Sequence, residues 1–101
     1  MARTLTQAQR RFLADYLPDI LDGENADLAR AGREEFVRRV AKMDFDGVAD
    51  RAAGRVAKHL QGRGLLGVLE IHKDGAGQQC IYVQFSASGA AALFDIHAKG
   101  Q

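Results

Sequence analysis

Three basic residues recur at helical spacing in the middle of the chain. Arg51, Arg55 and Lys58 lie four and three positions apart, and no acidic residue occurs between Asp50 and Arg63. Residues at this spacing share one face of a helix. An arginine guanidinium can pair at two points with guanine or with a phosphate, so such a face can contact a nucleic acid. The alternative is that these side chains form an ordinary solvated face.

The other residues with chemical potential do not form a recognisable constellation. The three histidines, His59, His72 and His97, are far apart in the sequence, and their spacing is not that of metal ligands. Cys80 has no neighbouring base that would activate a nucleophile, and as the one cysteine it cannot form an internal disulfide. We therefore expect a protein that is not an enzyme and that has neither a metal nor a cofactor.

Length and composition predict one soluble domain. The chain has 101 residues, of which 47% are hydrophobic and 27% charged, a balance typical of globular proteins. We expect a single domain over residues 1–101. No run approaches the ~20 apolar residues of a membrane span, and the start does not read as a signal peptide. The single cysteine agrees with a reducing compartment, so we expect a cytoplasmic location and no membrane contact.

The net charge excludes the strongly basic classes of nucleic-acid-binding protein. Fourteen Lys and Arg residues oppose thirteen Asp and Glu residues, which leaves a formal charge of +1. Histone-like and polybasic proteins carry a much larger excess. Any contact with a nucleic acid must therefore depend on local charge.

The N-terminal segment predicts an amphipathic helix. Thr4 or Thr6 can cap its start, and its apolar residues follow helical spacing to about residue 21. Pro18 lies inside this pattern and predicts a kink or a restart, because proline lacks the amide proton of a helix interior. The apolar residues Phe12, Tyr16 and Leu17 can belong either to the core or to a homodimer interface on this first helix.

A second helical region follows. Gly32 divides it into a short turn over residues 26–31 and a helix over residues 33–43, because glycine is unfavourable inside a helix. Residues 44–47 read as a tight connection, in which Asp46 can cap the next helix. That third helix is predicted over residues 48–61.

The C-terminal part changes from helical to strand-like periodicity. Gly62 and Gly64 end the third helix, and residues 65–72 and 80–86 are then rich in aliphatic and aromatic residues with alternating polarity. The glycine-containing segment 73–79 between them predicts a hairpin loop. A last short helix is expected after Ser86 or Ser88. The fold class is therefore mainly α with a small β-hairpin (α+β), in the order of a winged helix-turn-helix.

Two segments resemble the MarR-like group of bacterial regulators. Residues 60–66, LQGRGLL, are similar to that group's junction between recognition helix and wing, and residues 83–89, VQFSASG, are similar to its exit from the wing. The likeness extends over about residues 48–93. It implies a winged helix-turn-helix regulator that binds duplex DNA as a dimer, through the helix 48–61 and the wing 73–79.

Seven residues are expected at such an interface. Arg51 and Arg55 would face base edges or phosphates, and Lys58 and Arg63 would contact phosphates. Lys73, Gln78 and Gln79 would form the wing contact.

An alternative function comes from a different class. The chain is nearly neutral, the connection before the third helix carries Asp44 and Asp46, and the wing has no arginine. These features favour a winged-helix module that binds a protein partner, as an adaptor or a phage-encoded inhibitor, and that does not bind DNA.

Overall fold

The computed structural model describes residues 4–99, which form an α+β fold of helices packed on one face of a three-stranded antiparallel sheet. This content confirms the predicted α+β class. The elements are α1 (Gln7–Ala14), α2 (Leu17–Ile20), a 3-10 helix (Gly23–Arg30), α3 (Arg33–Val40), β1 (Asp44–Val48), α4 (Arg51–Gly62), β2 (Leu66–Lys73), β3 (Gln79–Phe85) and α5 (Ala87–Ala98).

The start of α1 is a capping box. The Thr6 hydroxyl accepts a hydrogen bond from the Gln9 backbone N–H (3.1 Å), and the Gln9 side chain accepts one from the Thr6 N–H (3.2 Å). Two N–H groups that have no partner within the helix are thereby satisfied. The predicted restart is also confirmed, because α1 ends at Ala14 and Pro18 lies in the first turn of α2, where its missing N–H costs nothing.

The second helical region divides at Gly32, as expected. The 3-10 helix ends before Ala31, and the extended backbone of Gly32 (φ −72°, ψ 171°) forms the N-cap of α3. The helix predicted to reach residue 43 ends at Val40. Residues 41–43 form a turn that leads directly into the sheet.

The predicted tight connection at residues 44–47 is wrong. These residues belong to β1, which pairs antiparallel with β3 so that Phe45 lies opposite Val83. The Phe45 ring packs against Tyr16 and Phe85, with ring centres 5.3 and 5.7 Å apart. This pairing is with residues almost forty positions later, so no local signal of the segment indicates it.

The start of the next helix moves accordingly. Val48, predicted inside that helix, is the last residue of β1, and α4 begins at Arg51. Its cap is Asp50 and not Asp46, because the Asp50 carboxylate accepts a hydrogen bond from the Ala53 N–H (2.8 Å). A strand therefore lies between α3 and α4, where a helix-turn-helix unit has a turn of three or four residues.

Strand β3 is the centre of the sheet. The strand order is β1-β3-β2, and the predicted hairpin is confirmed by the pairing of β2 with β3. Ile81, Val83 and Phe85 are 3%, 0% and 2% exposed and face the helices. The intervening residues of β3 face the other way and are half-buried. The sheet thus has one covered face and one open face, as is common for antiparallel sheets.

An aromatic cluster joins the N-terminal helices to this sheet. The Tyr16 ring lies 5.3 Å from the rings of Phe45 and Phe85 and 5.4 Å from that of Phe12, with edge-to-face or tilted geometry. Leu17 is 5% exposed. Of the two predicted roles for Phe12, Tyr16 and Leu17, these contacts favour the core.

Helix α5 closes over the junction between α4 and β2. The Ser86 hydroxyl caps α5 by accepting from the Gly89 N–H (3.1 Å), and it donates to the Gly64 carbonyl (2.6 Å). Gly89 is so close to this junction that a Cβ at its position would lie 1.9 Å from the Leu65 carbonyl oxygen. This close approach requires glycine.

We predict that Gly89→Ala lowers the free energy of unfolding by about 3 kcal/mol or more, because the added methyl group would meet backbone that cannot rotate away. Gly62→Ala is the control, since a Cβ there meets nothing within 4 Å. That change should leave stability equal or raise it by up to ~1 kcal/mol. Urea unfolding measures both, and equal stabilities of the two variants would contradict the close contact.

A second prediction concerns alkaline pH. Burial, helped by the charges of Asp15 and Asp19, raises the pKa of Tyr16 from 10.0 to about 12. The folded state therefore favours the neutral phenol, and the resulting stability is fully present below pH 10 and is lost as the pH rises towards 12. Urea unfolding at several pH values should show a larger loss of stability in wild type and Tyr82→Phe than in Tyr16→Phe, because the Tyr82 pKa is also raised. Tyrosinate absorbance measures the ionisation itself. Ionisation of Tyr16 near pH 10 in the folded protein would refute it.

Candidate nucleic-acid interface

Helix α4 packs on the covered face of the sheet by a side made of small and aliphatic residues. Gly54, Ala57 and Leu60 are its buried residues. Gly54 allows the closest approach, because a Cβ there would lie 2.8 Å from the Gln79 amide nitrogen and 3.8 Å from Ile71. The opposite side of the helix is left to solvent.

That exposed side carries the three predicted cations, which we call the basic α4 face. Arg51, Arg55 and Lys58 are all exposed, and within residues 4–99 none of them forms an ion pair or a side-chain hydrogen bond. At ~1.5 Å per residue the face extends for about 10 Å along the helix. Its charges are therefore available to an external partner.

The arginines of α3 are a useful contrast. Arg33 pairs with Asp95 on α5 (2.5 Å), Arg38 with Glu35 (2.5 Å), and Arg39 with Asp27 (2.6 Å). The hydrogen bond from Arg39 is the main reason why the pKa of the Asp27 carboxyl is lowered. The positive charge on α3 is thus compensated within the molecule, unlike that on α4.

Arg63 has a different position from the one expected of a phosphate contact. It is the C-cap residue of α4 and is half-buried. Its guanidinium donates to the Gln9 side-chain oxygen (2.6 Å) and reaches the Thr4 carbonyl oxygen (3.5 Å). Arg63 therefore joins the end of α4 to the start of α1.

The three predicted wing residues do not share one environment. Lys73 is the last residue of β2, Gln78 lies in the hairpin loop, and both are exposed. The loop is ordered by Asp74, whose carboxylate accepts from the backbone N–H groups of Ala76 and Gln78 (2.9 Å each). Lys73 and Gln78 thus lie at the tip, on either side of this carboxylate.

Gln79 instead holds the hairpin to the start of α4. Its side-chain amide donates to the backbone carbonyl oxygens of Asp50 (2.9 Å) and Ala49 (3.3 Å). The backbone carbonyl of Gln79 in turn accepts a hydrogen bond from the Ala49 N–H (3.0 Å). The side chain is half-buried. Sequence reasoning missed this role, because the partners lie thirty positions away and are backbone atoms.

The histidines and Cys80 remain dispersed. His59, His72 and His97 lie on α4, β2 and α5, and the described residues contain no group of His, Cys, Asp and Glu that could hold a metal ion. His97 stacks on Phe36 with the ring centres 6.1 Å apart, and its Nε2 lies 3.1 Å from the Ala29 carbonyl oxygen. In the described part of the chain no helix has the length and apolarity to cross a membrane.

Comparisons with known proteins give no further guide: no family model, curated protein or solved structure matches the chain. The two segments that resemble MarR-like regulators have local structural roles. Gly64, with φ of 80°, ends α4 in a conformation that favours glycine, and Ser86 caps α5.

We predict that Gln79→Ala destabilises the protein by ~1–2 kcal/mol, because two backbone carbonyls at the start of α4 lose their side-chain donor. Amide hydrogen exchange should accelerate at Ala53 and Gly54. Gln78→Ala is the matched control and should change neither quantity. Equal behaviour of the two variants would show that Gln79 does not hold α4.

Proposed function

We propose that the protein is a non-enzymatic, cytoplasmic regulator that binds duplex DNA through the basic α4 face, with the β2–β3 hairpin as a wing. The observation that carries this proposal is the alignment of Arg51, Arg55 and Lys58 on one exposed helix face without an internal partner. Uncompensated cations along one helix are the electrostatic pattern of a phosphate-binding surface.

The dimensions of α4 suit this role. A major groove ~12 Å wide admits a helix, and the twelve residues of α4 extend for about 18 Å. The exposed residues Ala52 and Gly62 are small, so the backbone can come close to a base edge or a phosphate. Arg51 and Arg55 would reach base edges or phosphates, and Lys58 would contact phosphate.

The hairpin lies next to the basic α4 face and can contribute to the same interface. Because Gln79 is bonded to Ala49 and Asp50, the base of the wing and the start of α4 are held together. Lys73 would supply one phosphate contact and Gln78 a polar contact. Arg63 and Gln79 would act by positioning α4.

The proposed fold is winged-helix-like, with β1 where the helix-turn-helix unit has its turn. On DNA, two copies bound side by side as a symmetric dimer would place two α4 helices on one palindromic site and would double the contacts. The first helix remains the predicted dimer interface, although its large apolar residues pack into the core.

The test is a titration of a random-sequence duplex, followed by fluorescence anisotropy at several salt concentrations. We expect wild type to bind at low salt and to weaken steeply as salt rises. The variant with Arg51→Gln, Arg55→Gln and Lys58→Gln should bind at least about tenfold more weakly, and its salt slope should fall by about 2.7 if three phosphate contacts are lost.

The control variant carries Arg11→Gln, Arg30→Gln and Lys42→Gln. These residues are exposed and form no ion pair within residues 4–99. Their substitution removes the same net charge, but from parts of the molecule outside α4. It should retain most of the affinity. Absence of binding by wild type at low salt, or equal losses in the two variants, would refute the α4 interface.

A protein-binding module that does not bind DNA is the second candidate. The observation that favours it is the open face of the sheet, where Asp44 and Asp46 of β1 are exposed. Wild-type protein that does not bind DNA at low salt but binds a protein partner would support this function instead.

A further inference from the structure

The open face of the sheet is a defined surface, which we call the acidic sheet face. Residues directly opposite each other on paired antiparallel strands point to the same side, so the register identifies its members. None of them is buried, because the helices pack on the other side. In three rows across β1, β3 and β2 they are Asp44, Gln84 and Val68; Asp46, Tyr82 and Glu70; and Val48, Cys80 and His72.

This face has a negative charge without a compensating cation. Asp44, Asp46 and Glu70 are exposed, and the face contains no lysine or arginine. Asp46 and Glu70 flank Tyr82 from the two neighbouring strands, and within residues 4–99 neither forms an ion pair.

The centre of the face is held in place by hydrogen bonds. The Tyr82 hydroxyl donates to the Asp44 carboxylate (3.0 Å) and accepts from the Gln84 amide (2.9 Å). The bond to Asp44 is the main reason why the pKa of Tyr82 is raised, and the charge on Glu70 adds to it. Asp44 and Glu70, on opposite edge strands, thus both act on the Tyr82 hydroxyl.

The same face carries the most exposed large apolar side chain of the described residues. Val48 is 64% exposed and is the one large hydrophobic residue in the exposed class there. It lies opposite Cys80 at one end of the face, and Val68 lies at the other. The surface therefore combines three carboxylates with two valines that a partner could cover.

We propose that the acidic sheet face binds the basic α4 face of a second copy of this chain. Three uncompensated carboxylates then meet three uncompensated cations, Arg51, Arg55 and Lys58. The formal charge of +1 means that two copies scarcely repel each other at long range. The charges of the two faces match in number and are opposite in sign, and both faces belong to this chain. A second copy of the chain is therefore a sufficient partner.

The lengths of the two faces also agree. A helix laid on a sheet is one of the stable layer arrangements of proteins. Seven residues of β3 extend for about 23 Å, which exceeds the ~18 Å of α4. The exposed Ala52 permits a close approach, so that Val48 can be covered.

The contact is heterologous, because two different surfaces meet. Each copy that joins by its α4 face leaves its acidic sheet face free, so association continues into a ring or an open chain. The area is small and the attraction is mainly between exposed charges, so the association is weak and sensitive to salt. Duplex DNA bound to α4 would compete with it.

Sedimentation velocity over a range of protein concentrations tests the proposal. For wild type at low salt we expect the weight-average mass to rise with concentration, and at high salt to return to that of one chain. Wild type that sediments as a single chain at millimolar concentration and low salt would overturn the proposal.

Two variants each remove one face. Asp46→Lys with Glu70→Lys changes the sheet face, and Arg55→Glu with Lys58→Glu changes the α4 face. Each alone should sediment as one chain, while an equimolar mixture should form a complex, because the intact α4 face of the first meets the intact sheet face of the second. A mixture that does not associate would refute the pairing of these faces.

The control for charge is Asp15→Lys with Glu24→Lys, which makes the same net change at exposed positions on other elements. It should associate like wild type, and its failure to do so would show that net charge alone is responsible. The Asp46→Lys, Glu70→Lys variant keeps the whole α4 face, so its DNA titration is independent of self-association. Loss of association with retained DNA binding separates the two proposals.

Discussion

The structure depends on β3 being paired on both of its edges. A central strand needs neighbours on either side for its backbone N–H and C=O groups, and β1 and β2 supply them. Its alternating side chains then require different surroundings on the two faces. Ile81, Val83 and Phe85 are covered by the helices, while Cys80, Tyr82 and Gln84 remain on the open side. The two faces of the sheet, one covered and one open, follow from this division.

The division separates the charges by sign. Helix α4 lies on the covered face and turns its cations away from the sheet, while the carboxylates of β1 and β2 lie on the open face. Although the formal charge is only +1, the molecule has one positively charged surface and one negatively charged surface. The proposed DNA contact requires such an asymmetry, because a phosphate backbone would be attracted to one surface and repelled by the other. The asymmetry also makes two copies of the chain complementary to each other.

Much of the helical framework could be predicted from local signals. The Thr6 capping box, the restart at Pro18, the division at Gly32 and the hairpin all depend on residues within a few positions of one another. Helical periodicity likewise predicts that Arg51, Arg55 and Lys58 share one face of α4, which is exposed. Strand β1 was not predictable in this way, because Asp44, Asp46 and Gly47 favour turns locally and become a strand only by pairing with β3.

The sequence by itself determined where helices and the hairpin form and which side of α4 carries positive charge, because capping, turn chemistry and periodicity act over a few residues. The tertiary structure alone decided that Gln79 and Arg63 hold α4 in place, since their partners are Asp50, Ala49 and Gln9 in distant segments. It also decided that three carboxylates share one open face. Strand register brings together residues that are far apart in the chain, and no local pattern encodes that register.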